Sequence, residues 1–212
     1  MKLFVDANYL SPYALSVFVA LREKNIPFEM TPVNLQNGEH LAAGHARLSR
    51  TRRIPCIDDH GFHLSESSAI CEYIDEQYPG HRLYPVDRQA RAQAREVQAW
   101  LRSDLLPIRE ERSTAGVFFK SSPPPLSPAA EAAIQKLFSA AEALLPAGQD
   151  HLFGAWSIAD TDLALMLNRL ILAGDKVPER LVSFARTQWL RPSIQEWVRL
   201  PRPSALLPGQ TP

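Results

Sequence analysis

Lys2-Leu3-Phe4-Val5-Asp6-Ala7-Asn8-Tyr9-Leu10-Ser11-Pro12-Tyr13 decides the reading of this chain. Leu3 to Asp6 has the length and apolar character of a short buried strand. Ser11 to Lys24 carries Leu15, Phe18, Val19 and Leu21 at helical spacing, so the stretch reads strand, turn, helix. Ser11 suits the cap of that helix and Pro12 its first turn, where a missing N–H costs nothing. A hydroxyl at a helix start lies beside unpaired N–H groups, in a place that favours negative charge. Ser11-Pro12-Tyr13 therefore offers a nucleophile or a thiolate-binding hydroxyl as well as a cap.

Working outward, Ile26 to Val33 reads as a second strand, and Pro27 and Pro32 place it at a sheet edge because proline cannot donate to a central ladder. Asn34 to Arg53 is polar, rich in turn formers and weakly periodic, which implies a loop with a short helix. Pro55 to Asp58 and Phe62 to Leu64 form two short strands around a turn at His60-Gly61, a hairpin. Ser65 or Glu66 then opens a helix with Ala69, Ile70, Tyr73 and Ile74 on its apolar face, which Tyr78-Pro79-Gly80 stops. The first 80 residues thus read βαβ, helix, ββα.

From Pro85 strand signals disappear. Asp87 is a cap for a helix running to Leu106, with Val97, Trp100 and Leu101 inward and Arg88, Arg91 and Arg95 mostly solvated. A proline-rich connector, Ser121 to Pro125, precedes Ser127-Pro128, which open a second long helix ending near Leu145. Ser157-Ile158-Ala159-Asp160 matches a capping box with Asp in place of Glu, ahead of a core helix bearing Leu163, Leu165, Met166 and Leu170; Thr161 stands where a hydrophobic staple to Trp156 wants an apolar residue. Arg180 to Phe184 and Pro192 to Leu200 supply closing helices. The tail from Pro201 to Pro212 has too many prolines to continue them and is expected at the surface or disordered. The domains are therefore placed at 1–80, 86–200 and a tail at 201–212.

Composition narrows the function. In 212 residues, 23 Lys and Arg balance 23 Asp and Glu, so there is no broad basic surface for nucleic acid. A 45% apolar fraction supports a sizeable core. Asp6 and Asn8 interrupt the first apolar run, so the start lacks the pattern of a signal peptide or a membrane span, and a cytoplasmic protein with no membrane partner is expected. The two cysteines, Cys56 and Cys71, have the spacing of neither a redox pair nor a zinc site, and read as buried thiols.

Four local patterns resemble the cytosolic glutathione transferase family, in a bacterial-type form, over roughly Lys2 to Leu200. Ser11-Pro12-Tyr13 is similar to the family's catalytic turn and Arg53-Ile54-Pro55 to its segment with a cis-proline. Glu66-Ser67 resembles the γ-glutamyl clamp, and Phe153-Gly154 through Asp162 the helical folding signature. The resemblance implies an α/β plus all-α fold: a thioredoxin-like amino-terminal domain followed by an all-helical carboxy-terminal domain that contributes the electrophile pocket. It also implies a homodimer acting in detoxification, with glutathione as co-substrate, no separate cofactor and no metal.

Under that resemblance each residue has a role. A Cys-like thiol has a pKa of about 8.5, so few glutathione molecules are thiolate at neutral pH; the Ser11 hydroxyl, with helix-start N–H groups near it, would stabilise the anion. Tyr9 and Tyr13 are rival donors, and Asn8 a second polar contact. Ile54, ahead of Pro55, would pair its main chain with the cysteinyl backbone like an added strand. Glu66 would take the γ-glutamyl ammonium, and Ser67 with its helix start the carboxylate. His40, Arg53 and Arg52 are candidates for the glycyl carboxylate, His40 because Gly38-Glu39-His40 resembles the theta-like branch. Asp104 matches the residue that approaches from a neighbouring subunit. The second substrate would meet the thiolate between the domains, beside Asn8 to Leu10 and Leu105 to Arg112. There Arg109 and Arg112 either face an anionic electrophile or pair with Glu110 and Glu111.

Ser11 departs from the Cys-Pro branches of the family. A serine cannot form a mixed disulfide, so conjugation, or peroxide reduction by glutathione's own thiolate, is expected over thiol–disulfide exchange. A glutathione-dependent peroxidase is the close alternative, and a non-catalytic interaction module built on the same fold the distant one.

Overall fold

A computed structural model of the chain describes residues 1–119 and 122–203. Ser121 of the connector and the tail from 204 onward lie outside the described residues. The chain divides into two compact units, Met1–Leu83 with Pro192–Pro203, and Tyr84–Arg191.

The first unit follows the expected order: β1 (Lys2–Asp6), α1 (Pro12–Glu23), β2 (Glu29–Val33), a 3-10 turn (Glu39–Leu41) with α2 (Ala43–Leu48), β3 (Cys56–Asp59), β4 (Phe62–Ser65) and α3 (Ser67–Gln77). This is a thioredoxin-like sheet in the order β2-β1-β3-β4. β2 lies at the edge, as Pro32 requires, with Pro27 just ahead of the strand, and runs parallel to β1 with Lys2 opposite Glu29. β3 is antiparallel to β1 with Phe4 opposite Cys56, and β4 antiparallel to β3. The hairpin turns through His60 and Gly61, both at positive φ (52° and 90°), the pairing a two-residue primed turn demands. α1 is buried over every residue from Ala14 to Leu21, and burying each large apolar side chain stabilises the fold by about 1.5–3 kcal/mol.

The second unit is helical: α4 (Arg88–Ser103), α5 (Leu106–Glu111), α6 (Thr114–Phe118), α7 (Pro128–Leu144), α8 (Ile158–Ile171) and α9 (Glu179–Trp189). Asp87 caps α4 through the Gln89 and Ala90 amides, Ser127 caps α7 through Ala130, and Ser157 with Asp160 closes the capping box of α8. The missing staple has a different answer: Trp156 lies under the Arg191 guanidinium, 4.2 Å from its ring centre.

Two expectations need correction. The helix expected to reach Leu106 stops at Ser103, because Leu105 takes a positive φ of 61° and its N–H turns to the Asp104 carboxylate at 2.7 Å. Trp100 is half-buried, and Gln98 is the buried neighbour instead, bonded to Tyr84 and Asp162 (2.7 Å each). The last helix, α10 (Pro192–Val198), lies within the span 86–200 expected of the helical domain and groups by its contacts with the first unit. Trp197, fully buried, packs its ring 5.3 Å from Phe18 and 5.9 Å from Tyr9. Arg22 pairs with Glu196 at 2.9 Å, and Ser193 donates to Glu23 at 2.5 Å.

Candidate functional site

The sheet register brings the candidate residues to one end of the first unit. β1 and β2 are parallel and end together at Asp6 and Val33; β3 begins opposite Phe4, and β4 ends at Ser65 opposite Cys56. The turn carrying Ser11, the loop carrying His40, the approach carrying Arg53, Ile54 and Pro55, and the start of α3 carrying Glu66 and Ser67 all emerge there. The sequence offers these residues as candidates; the register is what brings them to one end.

Ser11 is half-buried and caps α1, its Oγ accepting from the Ala14 N–H at 3.2 Å. Accepting leaves the hydroxyl proton to donate. The turn ahead of it depends on a residue whose role sequence reasoning missed. Asp6, 5% exposed, accepts from Leu10 N–H at 2.7 Å and Ser11 N–H at 3.0 Å, while its own carbonyl takes the Tyr9 N–H at 3.0 Å. An Asp at the end of a strand, just before a turn, is the signal that was present, since such side chains bond the backbone that follows. Tyr9, a rival donor, packs edge-on against Trp197.

The Ile54–Pro55 peptide is cis. The ladder starts only at Cys56, so Ile54 lies just outside the sheet while its side chain packs with Leu48 against Phe4, Val33 and Cys56. Ser49, fully buried, braces the approach by donating to the Arg53 carbonyl and accepting from its N–H, both at 3.1 Å. The Arg53 side chain is exposed. His40 is half-buried, and its Nδ1 is enclosed with no hydrogen-bond partner among the described residues. The same is true of Nε2 of His45, whose pKa is lowered first by burial and then by the nearby His40.

Glu66 is the N-cap of α3 with φ 73° and ψ 112°, and its side chain makes no capping bond. A non-glycine residue held there costs of order 1–3 kcal/mol, and such strain concentrates at functional sites. Glu66 is exposed while Ser67 behind it is 4% exposed. The cap leaves carboxylate and helix-start N–H groups together at the sheet end.

Asp104 belongs to the second unit and is engaged there. Its carboxylate accepts from Leu105 N–H, from Trp100 Nε1 at 3.0 Å and from Lys136. Those bonds, Lys136 first, hold its pKa down at about 2. Arg109 donates to the Leu101 and Asp104 carbonyls. Arg112 turns inward: it is 5% exposed, binds Asp175 through two bonds of 2.6 and 2.9 Å, and donates to the Glu111 carbonyl at 3.0 Å. Glu111 instead accepts from the Ser127 N–H and hydroxyl. The acidic partner comes from a distant loop, which helical spacing does not reveal.

Burial pushes the Cys56 thiol up to about 12, which removes it as a nucleophile, and Cys71 is likewise buried. Among the described residues no group of three His, Cys, Asp or Glu side chains is placed to hold a metal ion, and no helix is long and apolar enough to cross a membrane.

Comparison with known proteins gives the same direction. A family model described as glutathione S-transferase, N-terminal domain, matches residues 10–77, and one described as glutathione S-transferase, C-terminal domain, matches 87–202. Glutathione S-transferase theta-1 of Mus musculus is 39% identical over 107 residues, half of this chain and 43% of that protein. A maleylpyruvate isomerase of a Ralstonia species is 34% identical over 94 residues, 44% of each chain. The matches thus span less than half the length of these curated relatives. A glutathione transferase homologue from a Burkholderia, crystallised with bound glutathione, is 42% identical, with a TM-score of 0.76 over 93% of this chain and 95% of its own. With both halves matched in order and the fold shared nearly end to end, this chain belongs to the glutathione S-transferase family.

Proposed function

We propose that the chain is a glutathione transferase in which Ser11 activates the glutathione thiol for attack on small electrophiles. The observation that carries the reading is the pair of helix starts at one sheet end: α1 capped by a hydroxyl that keeps a proton to donate, and α3 capped by a strained, exposed Glu66. The likeness to the Burkholderia homologue crystallised with glutathione supports it.

Glutathione lies across that end. The Ile54 main chain pairs with its cysteinyl backbone, against Pro55. Glu66 takes the γ-glutamyl ammonium, and Ser67 with the α3 N–H groups takes the carboxylate. His40 and Arg53 hold the glycyl carboxylate. The thiol proton passes to solvent, and the Ser11 O–H donates to the sulfur, with the α1 dipole favouring the anion. One unit of pKa needs about 1.4 kcal/mol, within the range of a hydrogen bond to a charged atom. The thiolate then forms a carbon–sulfur bond as the leaving group departs with the electron pair.

The active form is a homodimer in which Asp104 of one subunit meets the γ-glutamyl ammonium of the other, exchanging Lys136 for it. Two buried free cysteines suit a reducing cytoplasm. The likeness to the Ralstonia maleylpyruvate isomerase favours a second reading, isomerisation in which glutathione is regenerated.

Calorimetric titration of glutathione into wild type, Glu66→Ala and Ser11→Ala, followed by assay with a halonitrobenzene, cumene hydroperoxide and maleylpyruvate, tests the assignment. Glu66→Ala should abolish binding, and Ser11→Ala should keep affinity while losing turnover. Absence of binding at millimolar glutathione would make the chain an interaction module and end the transferase reading.

A further inference from the structure

The residues that close the first unit reach back to its catalytic turn. Tyr9 stands at a positive φ of 54°, and its carbonyl accepts from Arg202 through Nε at 3.3 Å and Nη2 at 3.2 Å. The same guanidinium donates to Trp197 at 2.9 Å, Val198 at 2.8 Å and Leu200 at 3.1 Å, all main-chain carbonyls at the end of α10. A guanidinium has five N–H groups, and these bonds use all five. Three of the acceptors are carbonyls in and just past the last turn of a helix, which need partners from outside the helix. Across the turn, Asp6 holds the Leu10 and Ser11 amides. Residues 7–10, which have no regular structure of their own, are thereby fixed from both sides.

We propose that Arg202, together with Asp6, is a positioning residue for the Ser11 hydroxyl, so that the segment following α10 sets how strongly the turn stabilises a bound thiolate. The inference rests on the thiolate role of Ser11 proposed above. A displacement of about 1 Å at a reacting group costs up to about a hundredfold in rate, so bonds that hold the turn through both its N–H and carbonyl groups bear on catalysis. Burial draws the Arg202 pKa down to about 10, while the nearby Asp6 charge pulls it upward. Lysine is no substitute, because a point charge with three donors cannot span carbonyls on two segments as the planar fork does.

The test uses the full chain with Arg202→Met, Arg202→Lys, Ser11→Ala and Glu196→Gln, the last loosening α10 at its exposed Arg22 pair without touching Tyr9. The pH midpoint of glutathione thiolate absorbance on the enzyme, kcat against KM for glutathione, and amide exchange at Leu10 and Ser11 are measured. Arg202→Met should raise the midpoint by about one unit, leaving about tenfold less thiolate at neutral pH. It should lower kcat with KM for glutathione within about twofold, and speed exchange at both amides; Glu196→Gln should leave the midpoint in place. If Arg202→Met does not fold, Arg202→Lys must show the same midpoint shift. An unmoved midpoint in the Arg202 variant beside a raised one in Ser11→Ala overturns this inference alone. Midpoints unmoved in both, or no thiolate signal in wild type, overturn the Ser11 role and this inference with it.

Discussion

Asp59 shows how a single buried carboxylate ties a hairpin to a helix. It ends β3, is 7% exposed, and accepts from the hydroxyls of Tyr73 and Tyr78, each at 2.7 Å, on one oxygen. Burial is the largest single influence and would raise its pKa, but the two hydroxyls, together with the nearby His60 and the amino terminus, leave the carboxyl below its usual range. Both tyrosines are pushed up to about 12, first by burial and then by bonding to Asp59. A depressed carboxyl pKa contributes stability that is present above the unfolded value of about 3.9 and lost as pH falls through the folded one; raised tyrosine values contribute below about 10 and are lost as pH rises through about 12. Asp59→Asn should therefore cost about 1 kcal/mol per bond at pH 7, and its deficit in urea midpoint should shrink towards wild type as pH falls below the unfolded carboxyl value of about 3.9. A deficit that stays constant with pH would mean that shape, rather than charge, is what Asp59 provides. Legibility at this scale was uneven. Ser11, Ile54, Glu66 and Ser67 could be singled out because each lies in a short motif, whereas Asp6, Ser49 and Asp59 act through backbone or hydroxyl partners that no spacing announces.

Elements were legible where their ends are set locally. The α8 start is the clearest case: Ser157 N–H and Oγ both donate to Asp160 Oδ2 at 2.8 Å, and Leu152 N–H donates to Oδ1 at 2.8 Å. Asp160 is fully buried, and desolvation raises its pKa, so its full set of donors is what keeps the helix start closed. Asp160→Asn should destabilise by about 1–3 kcal/mol, because an amide turns an N–H towards donors that need an acceptor. The fall should appear in thermal unfolding at constant fold, and a neutral substitution would show that the carboxylate is dispensable. The break between α4 and α5 has the opposite character. Pro107 allowed a helix start there, but what stops α4 at Ser103 is Asp104 held by Lys136 from α7 and by Trp100, with Arg109 on its carbonyl. Those partners lie up to 32 residues away in sequence, so periodicity carried the helix too far.

At the scale of the whole molecule, the first unit is not a contiguous segment: 108 residues separate Leu83 from Pro192, where the chain returns to it. Ile194 and Trp197, both fully buried, are part of its interior, although a sequence pattern that marks them as apolar does not say which unit they enter. Truncating a buried tryptophan costs about 3–5 kcal/mol, against a net stability of about 5–15 kcal/mol for a typical domain. A chain ending at Arg191 loses that side chain, Ile194 and the Arg22–Glu196 and Glu23–Ser193 contacts at once. Its thioredoxin-like unit should sit near or below the folding threshold. Amide exchange separates the units: in the truncated chain β1 and β3 should lose protection while α8 keeps it, and Trp197→Ala in the full chain should weaken β1 and β3 to a lesser degree. Protection in β1 and β3 that survives truncation would mean that residues 1–83 fold without α10. A loss that extends equally to α8 would mean that the two units unfold as one.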